Sequence, residues 1–397
     1  MMLTSSAART LIWIALVGAS CGSACGPGPS AVGRLIAYRD AIRGSDPAKK
    51  TSAIADLRRH GWSRFQDVTA PSAAGVPLWQ NWPDKAATLG IGGARARRGR
   101  PVVHLAPAEE FTLAAQEPAV RPALDATPPT FEAVNYNPAT DRHIQNQHFL
   151  DPSAAHRRLA AGDREVKAFP VDSIVVKTFW RIVPPKDPTV LGLWEWSDIK
   201  HFPAPAREKD WDKHVCVYQS PPAHSDPACR AVGADQFYSL TVQDPSQFAC
   251  LNCKRTPDRG DRLILIAMHI TTKETPDWLW VTFWWRGLDR TDGDEWYHDN
   301  AQRPAGLTGF WKNYSMDTTL SLYNRAKQDF TPDSAMFNPY IEGATESTDS
   351  NCMRCHDQAR VYNSPQFRHE ETLVGEEGTL STDFLWTLAF KMATPGR

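Results

Sequence analysis

Two long apolar segments in the second half of the chain constrain its fold more than any other feature. They cover residues 262–272 and 277–286, and their apolar side chains do not alternate with polar ones. A strand with one face in water alternates, whereas a strand covered on both faces is apolar nearly throughout. We therefore predict that both segments are central strands with a protein layer on each side.

Further strand signals surround these two segments. Residues 173–183 are rich in β-branched and aromatic side chains, and Pro184 and Pro185 end that run. Residues 215–218 and 237–242 carry the same signal more weakly. The segment from residue 166 onward is therefore expected to be rich in β-structure.

The first part of the chain shows helix signals rather than strand signals. Residues 31–60 contain two helical stretches separated by the breaker sequence at 44–47, and residues 151–159 read as a short capped helix. We predict a helix and loop region at 25–165 and a β-rich domain at 166–397. With 15 Trp residues in the chain, the expected fold is α+β with a β-sandwich-like, Trp-rich core.

Residues 1–24 resemble an export signal. Arg9 precedes a short apolar run at 11–17, and small residues follow it. Cys21 stands where a bacterial lipoprotein would be cleaved and lipidated, and ordinary cleavage near Ala24 is the alternative. The predicted location is the periplasm, or the outer membrane if Cys21 is lipidated.

The overall charge balance argues against a polyanionic partner. The chain has 44 Lys and Arg against 45 Asp and Glu, so it offers no general attraction to nucleic acid or to an anionic membrane. We therefore expect no nucleic-acid partner, and membrane contact only through a lipid on Cys21.

The segment at 350–357 carries the clearest chemical signal. Cys352, Cys355 and His356 form a C-x-x-C-H motif, in which two thiols can each bind one vinyl group of a porphyrin while the histidine ligates its iron. An exposed dithiol, a disulfide and half of a zinc site are the alternatives. The motif predicts one covalently bound haem c, with His356 as the proximal iron ligand.

The chain resembles a loosely defined group of bacterial cytochrome c family proteins that carry this motif near the C-terminus. The resemblance covers residues 130–397 and rests on the segments 268–274, 280–285, 337–343 and 350–356. It implies a periplasmic haem protein and says little about substrate. Only 41 residues follow His356, so a C-terminal loop and helix segment would hold the haem in a pocket built mainly by preceding residues.

The second axial position of the iron has several candidates. Met392 is the only Met after the motif, and His269 interrupts a buried strand. Met316 and Met336 precede the motif, while His369 lies in a polar run. The sequence leaves Met/His, bis-His and five-coordinate iron open.

A second cysteine set invites a separate interpretation. Cys250 and Cys253 have the spacing of a haem motif, but Lys254 stands where the histidine would be. Together with Cys216 and Cys229 they form an even set, which in an oxidising compartment favours disulfides. A four-cysteine zinc site and an atypical second haem are the alternatives.

These features favour an exported monohaem cytochrome that transfers single electrons. Its partner would be a redox protein or a small-molecule electron donor or acceptor. The alternatives are a peroxidase-like oxidoreductase or a haem-based sensor with an open iron position, and a structural subunit of a respiratory complex. The sequence does not decide whether the chain is an enzyme.

Overall fold

The computed structural model describes several ranges of the chain. The described residues are 31–90, 106–107, 130–149, 151–194, 208, 211, 213–222, 229–248, 255–287, 302–320, 336, 338–342, 352, 356, 359–362 and 379–393. The export segment at 1–24 lies outside them.

Helices occupy the N-terminal part and return at the C-terminus. Their bounds are α1 Ala31–Arg43, α2 Pro47–Thr69, α3 Lys85–Leu89, α4 Pro138–Asn146, α5 Pro152–Ala160 and α6 Trp386–Ala393. Asp46 caps α2 by accepting hydrogen bonds from the backbone N–H groups of Ala48 and Lys49, and Pro47 suits the first helical position. The predicted pair of helices and the break between them are confirmed. None of the described helices has the length and apolarity needed to cross a bilayer.

The strands form a large antiparallel sheet and two smaller sheets. Their bounds are β1 Ala106–Pro107, β2 Phe131–Tyr136, β3 Ile174–Val183, β4 Thr189–Leu193, β5 Lys213–Tyr218, β6 Arg230–Gly233, β7 Ser239–Thr241, β8 Arg262–Thr272, β9 Leu279–Trp285, β10 Tyr314–Thr319, β11 Arg360–Tyr362 and β12 Thr379–Ser381. The large sheet has the order β1-β2-β3-β8-β9-β10, with β7 pairing one end of β8. The smaller sheets are β4-β5-β6 and β11-β12.

This architecture confirms the α+β class and the helical N-terminal region. β8 and β9 are interior strands of the large sheet, as their apolar composition predicts. β2 pairs with β3, so the sheet also includes a strand that precedes the predicted boundary at residue 165.

One side of the large sheet is covered by α2, and we call it the helical face. Trp62 and Phe65 of α2 pack on Phe283 of β9, with ring centroids 5.3 and 4.2 Å apart. Gly61 allows this approach, because a Cβ atom there would lie 3.2 Å from Cγ1 of Val281. The helical face therefore forms an aromatic layer between α2 and the sheet.

The opposite side is covered by the C-terminal part of the chain, and we call it the C-terminal face. A buried cluster there joins Tyr136 of β2 and Trp280 of β9 to Cys352 and to Leu388 of α6. Tyr136 also donates a hydrogen bond of 2.9 Å from its hydroxyl to Thr387 Oγ1. Because side chains alternate along β9, Val281 and Phe283 lie on the helical face and Trp280 lies on the C-terminal face.

Candidate metal centre

The imidazole of His356 packs against the C-terminal face. Its ring centroid lies 4.4 Å from that of Trp280. The pKa of His356 is lowered to about 4, mainly by burial; the hydrogen bond to Phe384 opposes this change and the charge of Lys177 adds to it. The ring is therefore neutral at pH 7 and keeps a lone pair for ligation.

A backbone carbonyl determines which ring nitrogen carries that lone pair. Nδ1 of His356 lies 2.7 Å from the carbonyl oxygen of Phe384. A carbonyl oxygen only accepts, so Nδ1 carries the proton and Nε2 has the lone pair. Metal-ligating histidines almost always donate their other ring N–H in this way. The tautomer of His356 is thus the one that metal binding through Nε2 requires.

Three potential ligands meet on the same face. His269 of β8, Glu342 and Cys352 each offer one ligand atom, and these atoms lie within 4.8 Å of one another. Nε2 of His269 is 3.5 Å from Oε1 of Glu342, which is an electrostatic contact rather than a good hydrogen bond. The same Nε2 is buried and has no hydrogen-bond partner among the described residues.

The protonation state of His269 suits a metal ligand. Burial is the main cause that lowers its pKa to about 3, and the positive charge of Lys177 and the nearby His356 imidazole act in the same direction. The imidazole is therefore neutral at pH 7. A buried, neutral imidazole without a hydrogen-bond partner is an exception among polar groups in protein interiors and calls for a functional explanation.

Glu342 is held at this position by the turn that precedes it. Its Oε2 accepts a hydrogen bond of 2.7 Å from the backbone N–H of Asn338. The amide of Asn338 in turn donates to Thr282 Oγ1 and to the carbonyl of Phe283, at 2.7 and 3.0 Å. Asn338 thereby fastens the carboxylate of Glu342 to β9, the strand beside His269.

A lysine supplies the positive charge that acts on both histidines. Lys177 of β3 is the cross-strand partner of His269, and its Nζ lies 3.0 Å from Oε2 of the buried Glu132 on β2. Like charges disfavour one another, so a permanent cation at this place opposes protonation of the imidazoles. The sheet thus keeps both histidines in the form that binds metals.

The structure brings together some of the sequence-predicted residues. Cys352, His356 and His269 share the C-terminal face, and Met336 is buried in the same cluster as Cys352. Met316 instead faces α2, because its Sδ would lie 3.5 Å from a Cβ at Gly61. The remaining candidates lie outside the described residues: Cys355, His369 and the side chain of Met392, whose backbone belongs to α6.

The second cysteine set is described only in part. A disulfide joins Cys216 of β5 to Cys229, with their Cα atoms 5.6 Å apart. Cys250, Cys253 and Lys254 lie outside the described residues, so their pairing stays a prediction. The observed bond agrees with the expectation of disulfides in this set.

Sequence reasoning missed three parts of the site. Lys177 could have been noticed, because a lysine in the middle of an apolar strand signals a special environment. Glu342 carries no such signal, since its partners come from distant segments. The carbonyl of Phe384 is a backbone group, so no side-chain pattern could reveal it.

Comparisons with known proteins found no match to this chain. No family model matches the chain, and neither a curated protein nor a solved structure does.

Proposed function

We propose that this chain is an exported c-type cytochrome with one covalently bound haem. Cys352 and Cys355 would hold the haem as thioethers, and Nε2 of His356 would ligate its iron. The observation that carries this proposal is the hydrogen bond of 2.7 Å between His356 Nδ1 and the Phe384 carbonyl. It leaves the ligating nitrogen deprotonated and strengthens it as a donor.

The surroundings of the motif also suit a haem. Cys352 is 8% exposed and belongs to a buried apolar cluster with Trp280 and Met336. Apolar surroundings limit the access of water to a haem and thereby tune its redox potential. The proposed arrangement is a Trp-rich, sandwich-like core in which the C-terminal segment holds the haem against the sheet.

Single-electron transfer is the function that the site supports best. A haem supplies an iron that cycles between its ferric and ferrous states. His269 is the residue best suited to be a second ligand of that iron, because its Nε2 is buried, neutral and not hydrogen-bonded among the described residues. Two histidine ligands would give a six-coordinate carrier. A redox protein or a small molecule in the periplasm would exchange electrons with it, whether or not Cys21 carries a lipid.

A second candidate function is a haem oxidoreductase or sensor with an open iron position. The observation that favours it is the pair of His269 and Glu342, 3.5 Å apart on the same face as His356. An imidazole beside a carboxylate can accept and return a proton during catalysis. In this alternative His269 would act as a general acid–base group, and one coordination position of the iron would stay open.

Absorption spectra of the oxidised and reduced protein separate these two candidates. The protein should be produced in a periplasm that attaches c-type haem. We expect low-spin spectra in both states, and a high-spin spectrum for His269→Ala. A high-spin wild type would instead favour the enzyme or sensor.

A matched control exists for this variant. His60 lies 3.1 Å from Glu274, and its side chain is 16% exposed against 12% for His269. His60 belongs to α2, on the helical face. His60→Ala should therefore leave the spectra unchanged, because it removes a comparable imidazole away from the C-terminal face.

A further inference from the structure

The carbonyl that receives the His356 proton belongs to an unusual turn. Asp383 and Phe384 have φ angles of 50° and 69°, in the left-handed region that residues other than glycine rarely adopt. Two successive residues of this kind persist only where their surroundings hold them. The turn presents the Phe384 oxygen to Nδ1 of His356 at 2.7 Å.

The carboxylate of Asp383 is the group that holds this turn. Its Oδ1 accepts hydrogen bonds of 2.6 Å from Lys273 Nζ and 3.3 Å from Trp278 Nε1. Its Oδ2 accepts a bond of 3.0 Å from the backbone N–H of Phe169. The side chains of Asp383 and Lys273 are only 10% and 6% exposed, so this ion pair is largely shielded from water.

Lys273 connects the turn to the centre of the large sheet. It follows the last residue of β8, and its Nζ also donates a 2.5 Å hydrogen bond to the carbonyl of Pro276 in the β8–β9 connection. The same ammonium lies 5.2 Å from the ring centroid of Trp278, which itself has a φ of 63°. Three left-handed residues other than glycine thus meet around one ion pair.

We propose that Asp383 and Lys273 are positioning residues for His356. The ion pair keeps Asp383 and Phe384 in the left-handed conformation, so that the Phe384 carbonyl points at Nδ1. That carbonyl keeps the proton on Nδ1 and makes Nε2 a stronger electron donor. The expected effect on a haem potential rests on the proposed function, whereas the expected effect on the tautomer of His356 does not.

Asp383→Asn is the variant that tests this role most cleanly. Asparagine tolerates the left-handed region better than other side chains, so the substitution removes the charge with little change of backbone preference. The weakened turn should let the carbonyl move away from Nδ1. His356 would then lose its fixed tautomer and donate less electron density to a metal.

Asp261→Asn provides a matched control. The carboxylate of Asp261 is 3% exposed, lies 3.1 Å from Arg255 Nη2 and accepts a 2.9 Å hydrogen bond from the backbone N–H of Asp258. It precedes the other end of β8, which spans roughly 30 Å at about 3.3 Å per residue. This variant disturbs a similar buried carboxylate far from His356.

The first readout needs no haem. Nitrogen NMR of the full chain, made without haem attachment, reports which ring nitrogen of His356 carries the proton. The wild type and Asp261→Asn should show the proton on Nδ1, and Asp383→Asn a mixture with Nε2–H. The same tautomer in all three chains would overturn the positioning role.

The second readout is the midpoint potential of the haem-loaded protein. A weaker histidine donor stabilises ferric iron less, so Asp383→Asn should raise the midpoint potential. The equilibrium between ferric and ferrous haem should shift threefold to tenfold, and a tenfold shift corresponds to about 59 mV. Asp261→Asn should not change it. A potential that moves equally in both variants, or in neither, would refute the proposal.

A milder variant keeps the test decisive if Asp383→Asn does not fold. Trp278→Phe keeps an aromatic ring but removes the indole N–H that donates to Asp383, and both readouts should move in the same direction by less. A wild type that never acquires haem but shows the Nδ1–H tautomer would refute the proposed function and support the positioning role. A protein that acquires haem, but whose variants leave both the tautomer and the potential unchanged, would support the proposed function and refute the positioning role.

Discussion

The buried histidines make the haem-free chain sensitive to acid, and His269→Asn should reduce that sensitivity. The imidazole of His269 has a folded pKa of about 3 because it is buried beside positive charge, against an unfolded value of about 6.5. Between these two pKa values the unfolded state binds more protons than the folded state. Stability is therefore undiminished by this group above pH 6.5 and falls as the pH decreases below that value.

The size of this effect follows from the two pKa values. The free energy of unfolding changes by about 1.4 kcal/mol per pH unit for one such group. From pH 7 to pH 5 His269 therefore costs the fold about 2 kcal/mol. His356, with a folded pKa of about 4, costs a similar amount over this range. The wild type should lose about 2 kcal/mol more than His269→Asn over the same interval.

Urea unfolding of both chains at pH 7 and pH 5 measures this difference. His156→Asn, on the exposed side of α5, controls for the loss of an imidazole and should follow the wild type. An equal loss of stability in the wild type and His269→Asn would refute the reasoning, because His269 would then titrate alike in the folded and unfolded chains.

Three further changes test the fold. Glu208→Gln leaves the buried guanidinium of Arg181, 2.7 Å from the carboxylate, without its charge partner, and should lower the free energy of unfolding by about 3–5 kcal/mol in urea titrations. Replacing Cys216 and Cys229, 13 residues apart, by Ala should cost about 3 kcal/mol and weaken the effect of a reducing agent on the melting temperature. Trp280→Ala removes a fully buried ring beside the imidazole of His356, and calorimetry should show a loss of about 3–5 kcal/mol.

Much of the fold could be predicted from the sequence because its central strands are apolar on both faces. The segment 262–272 coincides with β8, and 277–286 contains β9. β10 was missed because its residues, Tyr-Ser-Met-Asp-Thr-Thr, are mostly polar although nearly all are buried. Polar side chains in a covered edge strand are specified by tertiary partners, which propensity does not record.

The candidate site could be predicted only where chemistry lies in a local motif. The spacing of Cys352, Cys355 and His356 carries its own meaning, and His269 stands out as a histidine within an apolar strand. Glu342 and the carbonyl of Phe384 come from separate segments that meet only in the folded chain. Their roles depend on distances of a few ångströms, which a linear pattern does not contain.

The most direct test of the haem proposal is the covalent haem content of the protein matured in a periplasm with c-type haem assembly. The purified chain should be denatured, weighed by mass spectrometry and digested to map the modified peptide. The account predicts one haem per chain, bound to the peptide with Cys352 and Cys355, and none after both are changed to Ala. A well-folded chain without covalent haem would contradict it.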